Sequence, residues 1–251
     1  MDFKHVAILG AMPEEIGEII NQIHDKKEIF YGDLKIIQGT WNDVVRKNKT
    51  LISVAWSGWG KVSSARAATR IISSIYFGKK VDILIFTGVA GAVSSTLRQW
   101  DIVIASKLIQ YDMDARPFFE KFVIPAISKD HISIDDELLK WSHSTLQNSI
   151  GKDLNLRDFG SINIGKIATG DKFISDRKYL EEIKIQIPDL LAIEMEGAAV
   201  AQVACQEKVP CLILRTISDS ADEDAASSFD IFLKNYKLRS WLLIECLLKN
   251  L

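Results

Sequence analysis

Eight short runs of apolar, largely β-branched residues recur along this chain, and several hold almost nothing polar. They are "HVAILG" (5–10), "LKIIQGTW" (34–41), "LISVAW" (51–56), "DILIFTG" (82–88), "DIVIASKLI" (101–109), "INIGKIAT" (162–169), "LLAIEM" (190–195) and "CLILRTIS" (211–218). A strand with one wet face alternates apolar and polar residues. A run that is apolar throughout suits a strand buried on both faces, as in the middle of a parallel or mixed sheet. Helical patterns lie between many of these runs, over 13–23, 61–77, 133–147, 175–187, 196–208 and 228–249. Pro13 occupies a first-turn position with acids behind it. Ser133 and Ser175 each precede acids in a capping pattern.

The alternation predicts an α/β chain built as one domain over residues 1–251, with a central mixed β-sheet flanked by helices in three layers. No linker, internal repeat or low-complexity tract divides it. The long irregular piece is 110–130, which contains Pro117 and Pro125. It is expected to run over the surface, and long loops of this kind are often functional. Its Phe118, Phe119 and Phe122 call for cover such as a partner subunit would give.

Charge and special residues narrow the function. The formal net charge is −2 with basic residues scattered, which gives no electrostatic case for nucleic acid or an anionic membrane. "RKNK" (46–49) reads as a solvated turn. No apolar run approaches the ~20 residues that span a bilayer. Cys205, Cys211 and Cys246 form no paired framework, which points to a reducing compartment. "MDFKHVAILG" lacks a signal-peptide layout, so a cytoplasmic location is expected. His5, His24, His131 and His143 are dispersed without metal-ligand spacing, and neither a metal nor a cofactor is expected.

Ligands of open α/β sheets bind beyond the carboxyl ends of the strands. Those ends here read "GAMPEE", "SGWGK", "TGVAGA", "TGDKF", "EMEG" and "SDSAD". The glycines match neither a dinucleotide fingerprint nor a P-loop. Taken singly, Glu15 can be a helix-dipole partner, Asp219 an N-cap, and Glu196 a helix-start acid. Together they are three acids at strand ends with no basic cluster facing them. Such a set can act as general acid, general base and hydroxyl-binding group.

"GAMPEEI" (10–16), "TGVAGAV" (87–93), "ATGDKFI" (168–174), "AIEMEGAAVAQVA" (192–204) and "RTISDSAD" (215–222) come in one order across nearly the whole chain. In that order they resemble the 5′-methylthioadenosine/S-adenosylhomocysteine nucleosidases of the nucleoside phosphorylase superfamily. The resemblance implies a nucleoside phosphorylase-like fold and hydrolysis of an adenine nucleoside without metal or cofactor. It makes Glu15 the acid/base that activates water and Asp219 the group that protonates adenine N7, for which Asp219 would need a raised pKa. It sets Glu196 on the ribose hydroxyls with Met195 beside the sugar. Phe173 then stacks on the purine, the Ile174 backbone reads the base edge, Gly91 and Ala90 lie near the ribosyl centre, and Phe229 covers the 5′-substituent. Glu194 and Arg215 fall in a water network behind Glu15, or form a structural ion pair. A homodimer is implied too, in which the 110–130 loop closes the neighbour's site.

The chain departs from that pattern at three places. Val89 stands where serine is frequent, Ala92 where glycine is, and Trp59 where a smaller aliphatic residue is usual. These bear on substrate preference more than on reaction type. Three rivals remain: a purine nucleoside phosphorylase, a 6-amino-futalosine nucleosidase, and a non-catalytic nucleoside-binding protein. A phosphorylase wants arginines and free backbone amides for phosphate, where "GAMPEE" offers acids. The futalosine-type reading uses the same adenine and ribose contacts. A binding protein needs no acid/base, yet Glu15 and Asp219 are both present.

Overall fold

The computed structural model describes residues 3–43, 48–221 and 225–251. The chain begins with β1 (His5–Gly10) and α1 (Pro13–Ile16), which a 3₁₀ turn over Gly17–Gln22 extends. Strands β2 (His24–Tyr31), β3 (Leu34–Asp43) and β4 (Asn48–Trp56) follow, then α2 (Lys61–Ile72) and a small hairpin of β5 (Ile75–Tyr76) and β6 (Lys79–Lys80). Next come β7 (Ile83–Ala92), β8 (Ile102–Gln110), β9 (Ile132–Ser133), α3 (Asp136–Ile150) and β10 (Ile162–Thr169). The rest is α4 (Arg177–Gln186), β11 (Leu190–Glu194), α5 (Gly197–Glu207), β12 (Cys211–Asp219), α6 (Ala225–Tyr236) and α7 (Ser240–Leu248).

The mixed sheet expected from the apolar runs is present, in the order β11-β10-β8-β12-β7-β1-β4-β3-β2. Every residue of β1 and β12 is buried, as strands covered on both faces require. Helices α2 and α5 pack together in one layer; α1, α6 and α7, with α3 against α7, form another. A feature beyond the sequence reading is closure. Strand β11 returns to pair antiparallel with the end of β7, Ala192 opposite Ala92 and Ile193 opposite Gly91. Strands β7, β12, β8, β10 and β11 therefore make a ring, while β1 to β4 continue as an open sheet.

Several local expectations are corrected. Strand β2 escaped notice because "HDKKEIFY" is almost wholly exposed; it is an edge strand held by its pairing with β3. The helix expected over 13–23 is α-helical for four residues only, since the chain turns at Gly17 (φ 53°). The helix expected over 61–77 stops at Ile72. The caps of α3 and α4 are Asp135 and Asp176, whose carboxylates accept the first free amides; Ser133 instead belongs to β9. The helix expected over 228–249 is two, α6 and α7, broken at Lys237–Arg239. Of "RKNK", residues 46 and 47 lie outside the described residues, while Asn48 and Lys49 open β4 rather than a turn. The 110–130 excursion is irregular as expected, but Phe122 finds cover within the chain, against the cluster that includes Tyr111 and Ile174. All three cysteines are free thiols. Among the described residues no helix is long and apolar enough to cross a membrane.

Candidate active site

The carboxyl ends of β1, β4, β7, β10, β11 and β12 converge on one cleft of about 570 Å³, counting its open mouth. Among the described residues its walls are Ala11, Met12 and Glu15 after β1, Trp59 after β4, Val89 to Gly91 on β7, Lys172 to Ile174 after β10, Ile193 to Glu196 at the end of β11, Ser218, Asp219 and Ala221 at the end of β12, and Phe229 on α6. The ring closure makes this possible. Strands β8, β10 and β11 run opposite to β7 and β12, yet curling β11 onto β7 brings both sets of ends together.

Glu15 is buried. Its Oε2 accepts from the amides of Ala11 (2.5 Å) and Met12 (3.1 Å), and its Oε1 from the amide of Val89 (3.0 Å). Three amides and the nearby Arg215 favour the carboxylate, but loss of water outweighs them and moves the Glu15 pKa upward. Gly88 makes the arrangement possible. A Cβ there would stand 2.5 Å from Glu15 Oε1 and 3.1 Å from Arg215 Nη1.

Behind Glu15 lies the ion pair of Arg215 and Glu194, both buried. Arg215 donates Nη2–H (2.7 Å) and Nε–H (3.2 Å) to Glu194 Oε2, and its guanidinium rests on the Phe86 ring at 4.1 Å. The same Oε2 accepts from the amides of Glu196 (3.1 Å) and Gly197 (2.7 Å), while Thr169 Oγ1 donates to Glu194 Oε1. Glu194 thus fixes the backbone that carries Glu196. Arg215 is the buried cation near three buried carboxylates, Glu15, Glu194 and Glu196. Acid groups outnumber that cation, so a ligand that develops positive charge favours their ionised forms.

Glu196 feels that surplus. Burial first, then the charges of Glu194 and Glu15, push its pKa up to about 8. Its Oε1 accepts from the Gly60 amide at 2.8 Å. A latch of charged groups steadies this corner. Asp171 Oδ1 accepts from the Lys61 amide (2.7 Å), Asp112 Oδ2 accepts from the Asp171 amide (3.0 Å), and Lys61 Nζ reaches Asp112 Oδ1 (2.6 Å).

Asp219 closes the opposite wall. Its Oδ1 accepts from the Ala221 amide (2.8 Å), and Ser218 Oγ lies 2.6 Å from its Oδ2 and 3.3 Å from the Ala90 carbonyl. An aromatic series spans the mouth. Phe173 meets Phe229 edge-on at 5.9 Å, and Phe229 meets Trp59 edge-on at 6.3 Å.

Of the residues given a site role or named as departures from the family pattern, all except Arg215 and Ala92 line this cleft. Arg215 sits behind it on Glu194, the ion pair already allowed for, and Ala92 lies in the β7–β11 pairing. Thr169, Ser218 and Gly60 were quoted within motifs without being singled out, while Gly88 was read as a possible close approach to ligand and instead makes room for Glu15. Their part depends on partners far away in sequence, as with Gly60 and Glu196, and no local pattern reveals that. Asp222 lies outside the described residues.

The sequence pattern of the Phosphorylase superfamily matches residues 5–247. The chain is 37% identical over 230 residues to the aminodeoxyfutalosine nucleosidase of Campylobacter jejuni, covering 92% of each. It is similar to the crystal structure of the 5′-methylthioadenosine/S-adenosylhomocysteine nucleosidase of Neisseria meningitidis in complex with methylthio-immucillin-A. The TM-score there is 0.86 at 30% identity, covering 99% of this chain and 100% of that one. The futalosine hydrolase of Helicobacter pylori gives 0.84 at 32%, covering 99% and 98%. Fold, cleft and relatives agree: the chain belongs to the phosphorylase superfamily, in its nucleosidase branch.

Proposed function

We propose that this protein hydrolyses the N-ribosidic bond of 5′-modified adenine nucleosides. The substrates are 5′-methylthioadenosine and S-adenosylhomocysteine, with 5′-deoxyadenosine a further possibility, and the products are adenine and the free sugar, a 5-thioribose derivative for the thio substrates. The observation that carries it is the gathering of Glu15, Glu196 and Asp219 around one aromatic-walled cleft in which acid groups outnumber the buried arginine. Breaking the bond between C1′ and N9 builds positive charge on the sugar, and carboxylates held out of water stabilise it. Asp219 donates a proton to N7, so adenine leaves neutral. Glu15 takes a proton from the water that adds to C1′. Glu196 binds both ribose hydroxyls, and these bonds become charge-assisted as the positive charge building on the sugar favours its ionised form. Met195 lies along the sugar, Phe173 and Ile174 hold the base, Gly91 and Ala90 line the ribosyl centre, and Phe229 covers the 5′-arm. Glu194 and Arg215 keep Glu196 and the water in place.

Water rather than phosphate as nucleophile is supported by the amides of Ala11, Met12 and Val89. All three are spent on Glu15, so an incoming phosphate would meet a carboxylate instead of free donors. A second reading, cleavage of aminodeoxyfutalosine, is favoured by the likeness to the Campylobacter jejuni protein. The active form is a homodimer in which the 110–130 loop closes the neighbour's cleft. Purified protein incubated with each nucleoside, with and without phosphate, should release adenine without phosphate, as followed by chromatography. Release that requires phosphate and yields a sugar 1-phosphate would overturn the hydrolase. Asp219→Asn should keep the native circular dichroism and lose at least a hundredfold in kcat, within the usual range for a general acid.

A further inference from the structure

Tyr236 is wholly buried on α6, in an aromatic nest. Its ring stacks on Phe232 at 5.5 Å and lies 6.2 Å from that of Trp100. A phenylalanine would fill the same space. A hydroxyl taken out of water costs free energy unless it is hydrogen-bonded, so the partners of this one call for an account. Thr216 Oγ1 donates to the phenol oxygen at 3.5 Å, and the phenol donates to the Gly88 carbonyl at 3.4 Å. Both bonds are long, and both point the same way. The Gly88 carbonyl and the Val89 amide are the two ends of one peptide group, and that amide donates to Glu15 Oε1 at 3.0 Å. A planar trans peptide sends its C=O and N–H in opposite directions. The phenol and the Glu15 carboxylate therefore face each other across it.

A donor on a carbonyl draws charge onto its oxygen and makes the N–H of the same peptide a stronger donor. The run from Thr216 through Tyr236 and the Gly88–Val89 peptide thus ends on Glu15 and favours its ionised form. Burial pushes the Tyr236 phenol up to about 12, so near neutral pH it keeps its proton and donates. The phenol is faced by Thr87 on β7, Thr216 and Arg215 on β12, and Glu15 after β1. Glu15 is faced by Arg215, which Glu194 holds from the end of β11, and by Glu196 beyond it. We propose that Tyr236 is a positioning residue for the nucleosidase reaction: through the Gly88–Val89 peptide its hydroxyl holds and polarises the amide that keeps Glu15 aimed and ionised as the base for water. This rests on the function proposed above.

The test is the pH profile of kcat/KM for adenine release from 5′-methylthioadenosine, in the wild type, Tyr236→Phe, Thr216→Val and the double variant. The rate falls on the acid side as Glu15 takes up a proton. Without the hydroxyl the Val89 amide is a weaker donor and the carboxylate is less favoured. Tyr236→Phe should therefore move the acid limb up by about half a pH unit. Below that limb kcat/KM should drop about threefold, while the alkaline limb, set by Asp219, stays in place. Thr216→Val should move the acid limb less, and the double variant no further than Tyr236→Phe, because Thr216 acts through the phenol. An acid limb unmoved in Tyr236→Phe, with adenine still released, overturns the inference and leaves the function standing. A drop of equal size at every pH makes the tyrosine a packing residue alone and also overturns it. So does a double variant whose displacement is the sum of the two single ones. Should Tyr236→Phe fail to fold, Thr216→Val decides: a displaced acid limb supports the inference and an unmoved one overturns it. If the wild type neither cleaves the nucleoside nor binds it in calorimetry, the proposed function falls and this inference with it.

Discussion

Glu196 is where burial and charge act most visibly against an ionised carboxylate. Its pKa of about 8 in the folded chain compares with an ordinary value of 4.5. Between those values the folded protein holds a proton that the unfolded chain has released, so stability falls as pH rises through the window. The upward shift of Glu15 acts in the same direction. The Tm of the ligand-free protein should therefore decline from pH 5 to pH 8.5, and Glu196→Gln should flatten the decline. A variant whose melting curve runs parallel to the wild type at every pH would show that Glu196 does not titrate there. At this scale the sequence was informative about which acids meet in the cleft, because Glu15, Glu196 and Asp219 each follow an apolar run. It was silent about what holds them. Thr169, Ser218 and Gly88 act through contacts with groups that neighbour them only once the sheet has curled, apart from the adjacent Ser218 and Asp219.

At the scale of elements, strands were legible where burial on both faces leaves only apolar residues, as in β1, β7 and β12. They were illegible where a strand is exposed and owes its shape to one neighbour, as β2 does to β3. Helix ends failed by a few residues because aspartates two positions from the expected serines, or one, captured the free amides of α3 and α4. The latch of Lys61, Asp112 and Asp171 joins three elements, the start of α2, the 110–130 excursion and the loop after β10. It sets the Gly60 amide on Glu196 and the Phe173 ring at the wall. Asp171→Ala should therefore raise KM for the nucleoside by about tenfold, one lost charge-assisted bond, with kcat nearly unchanged. Asp171→Asn, which keeps an acceptor, should restore most of the loss. A fall confined to kcat, with KM unmoved, would show that the latch serves something other than binding.

For the whole molecule, the alternation of apolar runs and helices conveyed the layered mixed sheet, and the order of strand ends conveyed the cleft. The closure of β11 onto β7 was not legible, since the pairing is two residues long and its partners are about a hundred positions apart. The proposed dimer draws its support from exposure. Phe118 is 87% exposed and Val62 also faces solvent, while the Lys61–Asp112 pair holds α2 and the excursion on one side. Burying these side chains against a second copy would remove apolar area from water. Light scattering at micromolar concentration should report a dimer, and Phe118→Asp should shift it towards monomer with reduced activity. A fully active wild-type monomer would overturn the assembly.

Ring closure also decides how a nucleoside can come and go. Strand β7 carries Gly91, β11 ends at Glu194 beside Glu196, and β12 ends at Asp219, all within one hydrogen-bonded hoop. A hoop has no crease along which its walls can part, in contrast to enzymes that clamp substrate between two hinged lobes. Traffic must pass over the rim, past Trp59 and Phe229, while the floor stays shut. Amide hydrogen exchange should find β7 and β12 among the slowest segments whether the cleft is full or empty.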